Sequence, residues 1–114
     1  TVSKAEGLAA AFAGVEAAGL DGLDTDYDIV VNGTSAGVAG GRPGIEAAVV
    51  DGAFCYDMFY TLDGETAFCR WCAESGAAGA AGGLGMLIEQ AAESFCLWRG
   101  VRPPTRGVAE SLRA

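Results

Sequence analysis

Two Asp-Gly pairs, Asp51-Gly52 and Asp63-Gly64, lie twelve residues apart. They are the strongest local constraint in the chain. Asp-Gly between β-like runs signals a two-residue hairpin turn, because both turn positions tolerate positive φ. The pattern predicts a meander with strands over 45–50, 53–62 and 65–73. A turn at 63–64 sets Thr61 opposite Thr66, Phe59 opposite Phe68, Asp57 opposite Arg70 and Cys55 opposite Cys72. The Thr, aromatic and opposite-charge pairs are favourable cross-strand combinations. The other face pairs Tyr60 with Ala67, Met58 with Cys69 and Tyr56 with Trp71. A helix over 65–73 also accommodates Phe68 and Cys72, four residues apart, but explains none of these matches. The first hairpin is less well matched. It opposes Glu46 and Asp57, a repulsion that Arg70 offsets in part.

The flanking segments complete an α+β reading. Residues 3–19 predict a helix, with Ser3 and Glu6 as a capping box and Leu8, Phe12 and Val15 on one face. Ile29–Val31 predict a short strand closed by the turn residues Asn32-Gly33, and 34–44 a loop. The run Gly76–Gly83 predicts a flexible connector. Leu84, Leu87, Ile88, Ala91, Ala92 and Phe95 predict an amphipathic helix over 84–98, with Gly100 as its cap and Pro103-Pro104 as a barrier. Thr105 is placed to cap a short last helix. The expectation is one domain over 1–114: an N-terminal helix, an antiparallel sheet of three or four strands, and a C-terminal helix on one sheet face.

Cys55, Cys69, Cys72 and Cys96 permit three two-disulfide connectivities. The hairpin register makes 55 and 72 a non-hydrogen-bonded pair, close enough for a disulfide. It sends Cys69 to the opposite face, toward the helix that carries Cys96. The expected bridges are therefore Cys55–Cys72 and Cys69–Cys96, which favours an extracytoplasmic setting. Cys69-Arg70-Trp71-Cys72 is also a C-x-x-C, so the same four thiols suit the competing reading of a redox, zinc or iron–sulfur protein.

Other candidate sites are weaker. Asp24, Asp26 and Asp28 fit positions 1, 3 and 5 of a calcium loop, but Ile29 and Ser35 stand where Gly and Glu belong. The Gly-rich 76–85 run lacks the P-loop ending and dinucleotide-fingerprint spacing, and Glu74 and Glu89 flank it. Thr1 precedes a helix rather than a strand, which argues against an N-terminal nucleophile. Asn32-Gly33-Thr34 matches a glycosylation sequon that the turn already explains.

Composition then narrows function. The chain has no His and a net charge of −8. That removes His-based catalysis and His metal ligands, and disfavours binding to nucleic-acid backbones. No apolar run approaches a membrane span, and no signal-peptide pattern is present at the N-terminus. Four of the seven basic residues lie within 99–114, giving an acidic body a basic tail suited to subunit or partner contact. An exposed Phe59/Phe68 pair, together with Trp98, Arg99 and Arg102, predicts an interface. The expectation is a non-enzymatic, disulfide-stabilised module without a cofactor, binding itself or another protein.

Overall fold

Three four-residue segments begin at intervals of twenty-five residues and lie side by side. The computed structural model describes residues 1–62 and 64–113. Within them β1 (Ile29–Asn32), β2 (Phe54–Asp57) and β3 (Gly79–Gly82) form one sheet in the order β1-β2-β3, with both pairs parallel. Val30 lies opposite Cys55, and Cys55 opposite Ala80. Asn32, Asp57 and Gly82 share the carboxyl edge. The connection from β1 to β2 contains two 3-10 turns, Ser35–Ala39 and Ala47–Val49. The connection from β2 to β3 crosses over through a helix. In chain order the helices are α1 (Val2–Ala9), α2 (Ala67–Glu74), α3 (Leu84–Arg99) and α4 (Arg106–Arg113).

This α/β arrangement overturns the antiparallel meander. Asp51-Gly52 is a turn, with Gly52 at φ 73°, but the turn feeds β2 and donates its glycine N–H to the Gly76 carbonyl at 2.9 Å. Asp63 lies outside the described residues. The chain beyond Glu65 enters a helix, because Thr66 caps α2 by accepting the Cys69 N–H at 3.2 Å. Phe68, Cys69 and Cys72 then fall on one helical face and are buried. The i, i+4 spacing of Phe68 and Cys72 is the signal that prevailed over the cross-strand matches.

The Gly76–Gly83 run departs from expectation for a different reason. Gly79–Gly82 forms β3 despite poor strand propensity, because its backbone completes the ladder on β2. A Cβ at Gly79 would meet the Phe54 ring at 3.0 Å, so a small residue fits this edge. At the N-terminus, α1 is shorter than the predicted helix. Thr1 rather than Ser3 is its N-cap, without a side-chain cap bond. Leu8, Phe12 and Val15 stay exposed and join no core. The α3 helix forms where its stripe predicts, burying Leu84, Ile88 and Ala92, and Gly100 ends it at φ 71°.

The core gathers Ile45, Val49, Val50, Ala53, Cys55, Phe68 and Cys72, with Leu23, Val30, Trp71 and Ala77 packed around it. It lies between the sheet face that carries Val30 and Cys55, the 45–53 segment and α2. Arg42 lies over the Trp71 ring at 4.1 Å and donates to the Pro43 carbonyl, which pins the loop leading into this core. The opposite sheet face presents Ile29, Val31 and Phe54 to solvent. No helix of the described residues is long and apolar enough to cross a membrane.

Candidate functional site at the carboxyl ends of the strands

In an open parallel sheet, the loops that leave the strands' carboxyl ends share one edge, and ligands bind there. Here that edge is built around a carboxylate. Asp57 ends β2 and is fully buried. A buried carboxylate is costly unless its lone pairs are used. Asp57 Oδ1 accepts from Asn32 Nδ2 at 3.0 Å and from the Phe59 N–H at 3.1 Å, and its Oδ2 accepts from the Thr66 hydroxyl at 2.6 Å. The network continues outward. Asn32 Oδ1 accepts from the Thr34 N–H at 3.1 Å and the Thr34 hydroxyl at 2.8 Å, and Thr34 in turn caps the 3-10 turn. The Thr66 hydroxyl both donates to Asp57 and accepts at the start of α2. No buried side-chain nitrogen or oxygen among the described residues lacks a partner.

Two glycines let the three strand-end loops close on one another. A Cβ at Gly83 would lie 2.4 Å from the Met58 carbonyl oxygen, and one at Gly37 would lie 2.7 Å from the Phe59 ring. Met58 and Phe59 are therefore held between the loop after β1 and the start of α3. Beside them opens a cavity of about 270 Å³, lined by Tyr60, Thr61, Glu65, Thr66, Cys69 and the backbone of Ala80–Gly82, among others.

The residues singled out by the sequence are distributed otherwise. Phe68 is in the core, while Phe59 stacks near Tyr60 at 6.3 Å between centroids, so the expected exposed pair does not exist. Trp98 and Arg99 are exposed at the end of α3. Arg102 is engaged within the chain, with Glu89 at 3.0 Å and with Glu93. The Thr105 hydroxyl and then Arg102 hold Glu89 below the usual carboxylate range. Asp24, Asp26 and Asp28 lie in the segment entering β1. No cluster of three metal-ligating groups occurs among the described residues.

All four cysteines are free thiols, which corrects the disulfide expectation. Cys55 and Cys72 do meet, thiol to thiol, but between β2 and α2 rather than across a hairpin. Burial, followed by the neighbouring Cys55, pushes the Cys72 thiol well above its ordinary value, and burial raises Cys69. Such thiols are poor nucleophiles. Alkylation of the native protein at pH 8, read by intact mass, is expected to give one adduct, at partly exposed Cys96, and four after unfolding. Rapid native modification of Cys55 or Cys72 would contradict this packing.

Local sequence patterns do not single out Asn32, Asp57 and Thr66 as a group. The available signal is the recurrence of short strand-forming segments at a spacing of twenty-five residues, two of them ending on a polar side chain.

Parallel strands, a crossover helix and a polar carboxyl edge define a portion of a Rossmann-like α/β fold. Comparison with known proteins agrees. The profile of the shikimate 5'-dehydrogenase C-terminal domain matches residues 83–113. The shikimate dehydrogenase (NADP(+)) of Alkalilimnicola ehrlichii is 50% identical over 117 positions, which cover 99% of this chain. The chain spans 43% of the length of that relative. The crystal structure of an Ael1 enzyme from Pseudomonas putida superposes with a TM-score of 0.68 at 47% identity, over 77% of this chain and 32% of that one. Similarity to an enzyme along nearly the whole chain overturns the expectation of a non-enzymatic interaction module. The same similarity overturns the alternative of a small redox or metal protein built on the four cysteines.

Proposed function

We propose that this chain contributes the strand-end cleft of an NADP⁺-dependent oxidoreductase acting on shikimate. The observation that carries the reading is the satisfied Asn32–Asp57–Thr66 network at the carboxyl edge of a parallel sheet, with a cavity beside it. The similarity to a shikimate dehydrogenase supports the choice of cofactor and substrate.

The cavity residues fit one end of the cofactor. Tyr60 and Thr61 offer hydroxyls, Ala80–Gly82 offer backbone groups, and Glu65 supplies negative charge. No cation lines the cavity among the described residues. That suits the positively charged nicotinamide ring and not the phosphates, whose partners would lie elsewhere. At about 270 Å³ the space matches part of a dinucleotide rather than the whole. When bound, NADP⁺ supplies the hydride acceptor for a dehydrogenation in which the substrate hydroxyl releases its proton. The chain's own residues orient and enclose: Asp57 fixes the loops, and Gly37 and Gly83 let them close against the reacting end.

The test is NADP⁺ reduction followed at 340 nm with shikimate as substrate, alongside a fluorescence titration of NADP⁺ into the protein. Saturable NADP⁺ binding weakened by Tyr60→Ala, with shikimate-dependent reduction, is the expected result. Absence of both binding and reduction would contradict the proposal.

A further inference from the structure

We infer that Asp57 is a positioning residue that couples the loop after β1 to the loop after β2, so that the two sides of the cleft move as one. The inference rests on the proposed function for its catalytic consequence, and on the network alone for the coupling. Asp57 touches both sides: Asn32 on one, the Phe59 N–H and Thr66 on the other. Its carboxylate accepts all three bonds and donates none, a pattern that a neutral amide cannot reproduce. In an Asp57→Asn protein, an amide nitrogen would replace one acceptor. Turned toward Thr66, it would strand the Thr66 hydroxyl proton; turned toward Asn32, it would set donor against donor. Two further amides report the coupling without touching Asp57. The Thr34 N–H reaches it through Asn32, and the Cys69 N–H through Thr66.

The experiment compares amide spectra and hydrogen exchange of ligand-free wild-type and D57N protein well below the melting transition. The expected result is that Phe59, Thr34 and Cys69 shift and exchange faster together, while amides in α3 beyond Ile88 do not. Unchanged Thr34 and Cys69, or a uniform rise in exchange across the chain, would overturn the inference. Thr66→Val and Thr66→Ser give a second route if D57N does not fold. T66V should reproduce the coupled loosening at Phe59 and Thr34, and T66S, which keeps the hydroxyl, should hold both amides at wild-type protection. Failure of T66S to differ from T66V would also overturn it. In the shikimate assay, misplacement of the cleft is expected to lower kcat/KM by about 10–100-fold. Most of that loss should fall in kcat, and T66S should recover activity relative to T66V. Loop shifts in D57N with a wild-type protein that neither binds nor reduces NADP⁺ would support the coupling and sink the proposed function instead.

Discussion

Phe68→Ala is expected to destabilise the protein by about 3–5 kcal/mol, the usual cost of truncating a fully buried aromatic ring. Phe68 is 1% exposed, packs against Trp71 with centroids 6.1 Å apart, and belongs to the cluster that joins α2 to the sheet. A domain of this size has about 5–15 kcal/mol of total stability, so the loss takes a large share of it. Chemical denaturation of the variant should show a much lower midpoint with little change in slope. Leu97→Ala is the control. Leu97 is 78% exposed, and its truncation should change stability by no more than about 0.5 kcal/mol. Had the antiparallel hairpin formed, Phe68 would lie on an open sheet face and the two variants would behave alike. The comparison therefore tests the layer that the crossover helix builds.

Gly83→Ala is the second large effect, and it reaches the site as well as the fold. The added methyl would sit 2.4 Å from the Met58 carbonyl oxygen and 3.1 Å from that of Asp57. Both obstacles are backbone, so the strand end itself must shift. Overpacking of this kind costs about 1–3 kcal/mol. The displaced atoms belong to the loop that carries Phe59 and Tyr60, so NADP⁺ binding should weaken in the same variant. Gly85, two residues on, is the contrast. It lies inside α3, and a methyl added there would have nothing within 4 Å, so Gly85→Ala should raise helix stability by up to about 1 kcal/mol. Thermal melts of the two alanine variants should move in opposite directions.

Helix α3, its glycine cap and the Ile29–Val31 strand are legible in local patterns: an apolar stripe, an αL glycine and a β-branched run. The sheet is not, because its strands are four residues long and each pairs with a segment twenty-five residues away. Nothing local records such pairing. Asp51-Gly52 carries a real turn, yet a turn before a parallel strand has the same residues as a turn inside a hairpin. Gly79–Gly82 is a strand by partnership alone. Asp57 is legible as a charge needing a partner. The hairpin register offers Arg70 for that need, while in the fold Asn32, Thr66 and a backbone N–H meet it. The Cys55–Cys72 proximity emerges from the wrong register for a comparable reason: residues on β2 and on the packed face of α2 meet whichever way the chain returns.

If the carboxyl ends of the three parallel strands form the cofactor cleft, NADP⁺ must leave its mark there. Titration of NADP⁺ into isotopically labelled protein, read residue by residue, should give saturable shifts concentrated at Thr34, Ser35, Phe59–Thr61 and Ala80–Gly83. The α3–α4 surface around Phe95 and Val108 should be unaffected. Shifts centred on that α3–α4 surface, or no shifts at the strand ends at saturating cofactor, would place the cleft elsewhere and refute its assignment to the strand ends.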